Sequence, residues 1–145
     1  VLHLLLYTLP KKDLLNPNLS LDYPNNSPAD LHHIFPRDWC KNNQQGKLSK
    51  LLDKHKSEFD WVNSTANLTL LSRESNNLWK SRNPANVIET WNIKFESNRE
   101  ILESMFIDKS LFELLEQGPE KLEEFWNLRA DKISNNLYNR TFVSL

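Results

Sequence analysis

The chain has 145 residues and a net charge of −1, from 18 basic and 19 acidic side chains. This length fits one domain with a modest core, and the near-neutral charge excludes a uniformly basic nucleic-acid binder. One cysteine excludes a disulfide scaffold and a cysteine-based zinc site, and two glycines exclude a glycine-rich phosphate loop.

The N-terminal residues predict neither a membrane span nor an export signal. The apolar run 1–9 is much shorter than the roughly 20 residues of a spanning helix, and no basic residue precedes it. We therefore expect a cytoplasmic protein without a membrane partner. Because the chain starts at Val1 inside a run that predicts a helix, we also expect 1–145 to be one domain from the C-terminal part of a longer protein.

The next predicted elements follow in chain order. Asn, Pro and Ser are frequent over 11–30, which is typical of a loop. Apolar residues recur with helical spacing over 47–59, so we predict a helix there, with His55 partly buried and four lysines on the other face. A short strand is predicted at 68–71, and a helix is predicted to begin within 72–80.

The C-terminal half predicts three further helices. Ser97 and Ser110 each precede a glutamate by three residues, which is the spacing of a capping box, and each comes before apolar residues. Pro119 opens a long helix, because proline is well tolerated at the first helical position. The apolar stripe of this helix is Leu122, Trp126, Ala130, Ile133 and Leu137. The outline predicts an α+β domain that is mostly helical, with the chemistry in an irregular middle.

Four polar residues in that middle have the side chains of a metal-dependent site. His32 and His33 are adjacent in an extended segment, so one side chain can face a metal while the other faces a substrate. Asn67 and Asn76 flank the predicted strand, and an amide oxygen is a hard ligand suited to Mg²⁺. By themselves, the histidines fit a surface pair in a loop equally well, and the asparagines fit caps or turns.

The strings HHIFP at 32–36 and ANLTLL at 66–71, followed by Asn76, resemble the HNH nuclease superfamily with its ββα-metal fold. More narrowly, they are similar to the HNH domain at the C-terminal end of GmrSD-type proteins, which are modification-dependent restriction and phage-defence proteins. The string FWNLRA at 125–130 resembles the closing helix of the same group.

The resemblance implies an architecture, an activity and partners. It implies a ββα-metal finger over about 30–82, embedded between bracing helices at 1–9 and 86–139. It also implies a metal-dependent DNA endonuclease, with an N-terminal ParB-like nucleotidase domain in the same parent protein. Because the chain is nearly neutral, we expect DNA capture to be shared with another part of the parent or with a second copy in a homo-oligomer.

The resemblance also assigns roles to individual residues. His33 matches the general base that takes a proton from the attacking water, while His32 and Asn76 match the two ligands of one divalent cation. Mg²⁺ is the expected ion, with Mn²⁺ or another transition metal as alternatives, and no structural zinc is expected. Asn67 matches the residue that holds the strands and the loop by backbone hydrogen bonds. Asp30 matches an acidic position that supports the ligands.

Basic residues near the predicted site are candidate phosphate contacts. Lys80 follows Asn76 by one helical turn and can share its face. Arg82 and Arg37 are weaker candidates for the same role, and each of the three also fits a solvated surface charge.

Two other functions stay open. The first is a non-catalytic domain that keeps the HNH fold and binds a partner protein, against which the intact set His32, His33, Asn67 and Asn76 argues. The second is an RNA nuclease, because the same finger can cut either backbone.

Overall fold

The structure is a computed structural model that describes residues 12–21, 29–53 and 55–142, so the helix predicted at 1–9 lies outside the described residues. Within these ranges the chain is mostly helical with one two-stranded sheet, which confirms the predicted α+β class. The elements are β1 (Ala29–His33), α1 (Arg37–Asn42), α2 (Ser49–Leu52), β2 (Leu68–Ser72), α3 (Arg73–Trp79), α4 (Pro84–Thr90), α5 (Phe95–Ser104), α6 (Lys109–Gln117) and α7 (Leu122–Phe142). Short 3-10 turns precede α2, β2 and α7.

The sheet pairs β1 with β2 in antiparallel orientation. Ala29 lies opposite Ser72 at one end, and His33 lies opposite Leu68 at the other. Helix α3 follows β2 without a loop, because the Ser72 hydroxyl accepts a hydrogen bond of 3.1 Å from the backbone N–H of Ser75 and caps the helix. The strand predicted at 68–71 and the helix predicted within 72–80 are therefore confirmed.

An aromatic cluster joins the segment after β1 to the last helix. The buried ring of Phe35 lies 5.9 Å from that of Trp126, and the ring of Trp61 stacks on Trp126 at 6.2 Å, all measured between centroids. A 3-10 turn at Pro119–Lys121 leads into α7, as its proline predicts. The apolar stripe of α7 is buried at Leu122, Trp126 and Ile133 and half-buried at Ala130 and Leu137, which confirms that prediction.

The helix predicted over 47–59 is wrong for most of its length. Only a 3-10 turn at Gly46–Leu48 and α2 form there, and the chain leaves the helix at Asp53, whose backbone is extended. The Asp53 carboxylate accepts a hydrogen bond of 3.0 Å from the backbone N–H of His55, which competes with helix continuation. His55 is consequently exposed, not partly buried as predicted.

Two predicted helix starts are displaced. Helix α5 begins at Phe95, before Ser97, and is kinked at Asn98, where φ is −122° and ψ is 17°. Helix α6 is capped by Asp108, whose carboxylate accepts a bond of 3.0 Å from Leu111, so Ser110 lies inside the helix. Both regions offer several capping side chains within three residues, and the spacing alone does not choose among them.

Candidate active site

The two adjacent histidines lie at the end of β1 in different surroundings. His32 has 3% of its surface exposed, and its ring centroid lies 4.5 Å from that of Trp79. His33 is half-buried and lines a cleft of about 1050 Å³. This difference follows from the alternation of side chains along a strand, which turns His32 toward helix α3 and His33 toward the cleft.

His32 and Asn76 are 44 residues apart in the chain and meet in the structure, with Nδ1 and Oδ1 2.7 Å apart. Asn76 Nδ2 donates a longer bond of 3.4 Å to Asp30, whose carboxylate also pairs with Arg73 at 3.6 Å. Because a carboxylate only accepts, the amide nitrogen faces Asp30 and the amide oxygen faces His32, so His32 Nδ1 is the donor. Both predicted metal ligands, His32 and Asn76, also reach the wall of the cleft.

The His32–Asn76 pair has the chemistry and spacing of two ligands of one cation. Burial lowers the pKa of His32 to about 4, so its imidazole is neutral at neutral pH, which is the form that binds metal. An octahedral ion with ligands at about 2.1 Å keeps adjacent ligand atoms roughly 3 Å apart, close to the 2.7 Å found here. Among the described residues, no three His, Cys, Asp or Glu side chains converge on a metal position.

A cation on His32 Nδ1 requires the ring proton on Nε2, which then needs an acceptor. His32 Nε2 and Thr69 Oγ1 are both buried, and neither has a hydrogen-bond partner within the part of the chain that the structure describes, so the two atoms do not bond each other here. Thr69 lies opposite His32 in the β1–β2 register, so the two side chains share one face of the sheet. The Thr69 hydroxyl is therefore an unused acceptor on the face of the sheet that His32 occupies.

His33 is held by a residue from outside the sheet. Its Nε2 lies 3.0 Å from Asn63 Oδ1. Burial lowers the pKa of His33, the hydrogen bond to Asn63 opposes this shift, and nearby Arg37 adds to the lowering. The neutral imidazole therefore predominates at neutral pH, and from the cleft wall it is placed to accept a proton from water.

Every hydrogen-bonding position of the Asn67 side chain is occupied by a neighbouring group. Its Oδ1 accepts from the backbone N–H of Phe35 at 2.8 Å and from the indole of Trp126 at 3.1 Å. Its Nδ2 donates to the carbonyls of Phe35 at 3.0 Å and Val62 at 2.8 Å. Because both donors and both acceptor positions are filled, Asn67 clamps the segment after His33 and has no polar atom left for a substrate.

The three candidate phosphate contacts do not all lie at the cleft. Lys80 and Arg37 both line the cleft, although Lys80 lies just past the end of α3 with a φ of 52°. Arg82 is turned away: its guanidinium donates to the carbonyl of Leu78 at 2.5 Å and lies 5.5 Å from the centre of the Trp91 ring. Arg82 is therefore not brought to the cleft.

Arg129 is a buried cation that the sequence did not single out, although it lies within the FWNLRA string. Its five N–H donors are all used on backbone carbonyls, those of Thr65, Ala66, Leu68 and Met105, at 2.6–3.1 Å. Burial lowers the pKa of Arg129 to about 9, so it stays charged at neutral pH. Arg129 thereby fixes the turn before β2 to helices α5 and α7.

Asp13 holds the other end of β2 and was also not predicted. It is fully buried, and its carboxylate accepts bonds of 2.7 Å from the backbone N–H of Ser72 and of 2.6 Å from the hydroxyl of Ser75. These partners are about 60 residues away in the chain. Its neighbourhood, with Asn, Pro and Asn at 16–18, is typical of loops, so nothing in the sequence distinguishes Asp13 from a turn residue.

Comparison with protein-family models, with curated proteins and with solved structures finds no match for this chain. The structure adds one exclusion: across residues 12–21, 29–53 and 55–142, no helix is both long and apolar enough to cross a membrane.

Proposed function

We propose that this chain is a metal-dependent endonuclease domain that hydrolyses phosphodiester bonds of DNA. The observation that carries the proposal is the meeting of His32 and Asn76 at 2.7 Å, with His33 beside them in the wall of a wide cleft. The order β1, β2, α3, with the histidines ending β1 and Asn76 in α3, supports an HNH-type ββα-metal finger.

His32 Nδ1 and Asn76 Oδ1 would hold one divalent cation. When bound, the cation stabilises the charge that builds up on the nonbridging phosphate oxygen and on the leaving 3′ oxygen. One imidazole nitrogen and one amide oxygen suit Mn²⁺ and related transition ions as well as Mg²⁺. Two protein ligands leave the other positions to water and phosphate.

His33 is the general base of the proposed reaction. Its neutral ring takes a proton from the water that attacks phosphorus, and the 3′ oxygen leaves as the new P–O bond forms. Lys80 and Arg37 contact phosphate from the cleft wall. Asn67 holds the segment that follows His33 and thereby fixes the position of the base.

Nicking of supercoiled plasmid tests the proposal. We expect nicking with Mn²⁺ or Mg²⁺, none with EDTA, and a loss of about 10²–10⁴-fold in His33→Ala, which is the usual contribution of a general base. Asn127→Ala is the matched control, since Asn127 is exposed on α7 and does not line the cleft. A wild-type protein that leaves DNA and RNA uncut in every metal, also within the full-length parent, contradicts the proposal.

RNA run beside the plasmid tests the second candidate function. His33 and the His32–Asn76 pair address only the phosphate, and this arrangement suits either backbone. Faster cutting of RNA than of DNA at equal concentration assigns the chain to RNA. If the chain cuts DNA, the proposal includes a role in restriction or phage defence, with a ParB-like nucleotidase domain in the same parent protein.

A further inference from the structure

Two residues of the loop before β2, Asn63 and Asp60, hold the His33 side chain, and we call this pair the support. His33 Nε2 lies 3.0 Å from Asn63 Oδ1, and Asn63 Nδ2 donates a bond of 2.7 Å to Asp60 Oδ2. The Asp60 carboxylate also accepts from the backbone N–H of Asn63 at 3.2 Å. All three side chains line the same cleft.

The Asp60 carboxylate determines the orientation of the Asn63 side-chain amide. Asp60 accepts hydrogen bonds and donates none, so the NH₂ group of Asn63 faces Asp60 and its oxygen faces His33. An amide oxygen is also only an acceptor, so His33 Nε2 carries the ring proton. The lone pair of neutral His33 is then on Nδ1, the nitrogen that the support leaves unused.

Asn67, which holds the segment after His33, also holds the loop that carries Asn63 and Asp60. The carbonyl of Val62, next to Asn63, accepts the bond of 2.8 Å from Asn67 Nδ2. Asn67 also holds Phe35 by two bonds, and the backbone N–H of Ile34, which follows His33, donates to the carbonyl of Asn67 at 2.8 Å. The histidine and the amide that positions it are therefore anchored to one side chain, which fixes their relative geometry.

We propose that Asn63 and Asp60 are positioning residues that hold neutral His33 in its Nε2–H form and direct Nδ1 into the cleft as the base. The catalytic part of this inference rests on the proposed nuclease function, whereas the proton position does not. Histidine bases in general depend on a partner at the other ring nitrogen to set the tautomer.

The proton position is measured directly by two-bond ¹H–¹⁵N correlation spectra of the imidazole rings at pH 8, in the full chain without metal. We expect the Nε2–H pattern for His33 in wild type and a shift toward a mixture of the two neutral forms in Asn63→Ala. Asn127→Ala, an exposed asparagine on α7, is the matched control and keeps the wild-type pattern. A wild-type His33 in the Nδ1–H form, or one that Asn63→Ala leaves unchanged, overturns the inference.

The kinetic test separates positioning from a loss of substrate binding. Asn63→Ala should lower kcat for nicking about 10-fold or more, less than loss of the base itself, with little change in KM. The exchanged pair Asp60→Asn with Asn63→Asp should recover most of kcat, because the amide at position 60 then donates to the carboxylate at position 63, which still accepts from His33. Failure of the exchanged pair to restore both kcat and the Nε2–H pattern overturns the inference.

The two readouts keep this inference apart from the nuclease proposal. If no metal gives nicking but His33 shows the Nε2–H form and Asn63→Ala loses it, the nuclease proposal fails and the support stands. If wild type nicks DNA but His33 does not respond to Asn63, the support fails and the nuclease proposal stands.

Discussion

The hydrogen-bonding capacity of individual side chains explains how the site is assembled. Asn67 makes four side-chain hydrogen bonds and Arg129 makes five, and all except the one from Asn67 to Val62 join groups at least 24 residues apart in the chain. His32 differs, since one of its ring nitrogens is bonded to Asn76 while the other is buried and unpartnered within the described residues. A buried polar atom without a partner costs stability, so its retention at this position is consistent with a ligand role.

The buried neutral form of His32 predicts a pH-dependent stability. Its pKa is about 4 in the folded chain and 6.5 when unfolded, so the unfolded state binds more protons between these values. Stability is therefore full above pH 6.5 and falls as the pH drops toward 4, by about 3 kcal/mol from this group. Urea unfolding of the metal-free protein at pH 7 and at pH 4.5 measures the difference.

The variant His32→Gln isolates this group in the same experiment. Glutamine keeps a donor for Asn76 but does not titrate, so the variant should lose less stability on acidification than wild type. His55→Gln, at an exposed position, should keep the wild-type pH dependence. Equal pH dependence in wild type and His32→Gln contradicts the assignment.

At the scale of elements, the pairing register of β1 and β2 determines which side chains meet in the site. The β1–β2 pairing places His32 opposite Thr69, and the immediate start of α3 after β2 places Asn76 one turn into a helix that lies against both strands. A slip of one residue would turn His32 to the opposite face of the sheet. Asp13 and Arg129 bind the two ends of β2 and thereby hold this register.

The unused hydroxyl of Thr69 predicts opposite effects on stability and on metal binding. Thr69→Val removes a buried, unpartnered polar atom, so the metal-free protein should be unchanged or about 1 kcal/mol more stable. The same variant should bind Mn²⁺ roughly 10-fold more weakly, because a proton placed on His32 Nε2 by metal binding could no longer turn to the unused hydroxyl opposite it in the register. Thermal unfolding and electron paramagnetic resonance titration measure the two effects. Thr69→Ser keeps the hydroxyl and should bind near wild-type strength; equal Mn²⁺ affinity in Thr69→Val contradicts the role.

The elements were predictable where one local signal dominates. The β-branched and leucine-rich run gave β2, and Pro119 with its apolar stripe gave α7. The prediction over 47–59 failed because apolar spacing continued past Asp53, whose side chain ends the helix by a local hydrogen bond. The start at Ser110 failed because Asp108 caps α6 instead. The start at Ser97 failed because α5 begins after Lys94, which makes no side-chain cap.

The residues of the candidate site were predictable from the sequence, whereas the residues that hold them in place were not. His32, His33, Asn67 and Asn76 were selected by their resemblance to a family motif, and the geometry now gives the contact of His32 with Asn76. Asn63 bonds His33, 30 residues away in the chain, and Arg129 bonds partners 24 to 64 residues away, and no local pattern encodes such pairs. Arg82 was selected by proximity in sequence alone, and Trp91 and Leu78 hold it away from the cleft.

At the scale of the whole molecule, helix α7 packs against the segments that support the site. Trp126 contacts the Phe35 ring and donates to Asn67, and one turn later Arg129 binds the turn before β2. Helix α7 thus carries side chains that fix the segment after β1 and the turn before β2, so the same contacts hold the domain and the site. The net charge of −1 gives the chain no overall attraction for a polyanion, so under the proposed function we expect tight DNA capture to need a further contact surface, such as a second copy.

Arg129 is the most sensitive point of this packing. Arg129→Lys keeps the charge but offers three donors in place of five, which leaves buried carbonyls unpaired and should cost about 2–4 kcal/mol of unfolding free energy. The exposed Arg140→Lys on the same helix is the control and should stay within about 0.5 kcal/mol of wild type. Urea midpoints compare the two, and an Arg129→Lys variant as stable as Arg140→Lys contradicts this role of Arg129.

Anomalous diffraction from crystals soaked in Mn²⁺ shows directly whether His32 and Asn76 bind one divalent cation. We expect a peak about 2.0–2.4 Å from both His32 Nδ1 and Asn76 Oδ1, and the loss of this peak in Asn76→Ala. An intact His32–Asn76 hydrogen bond in Mn²⁺, with no peak at the pair, would contradict cation binding there.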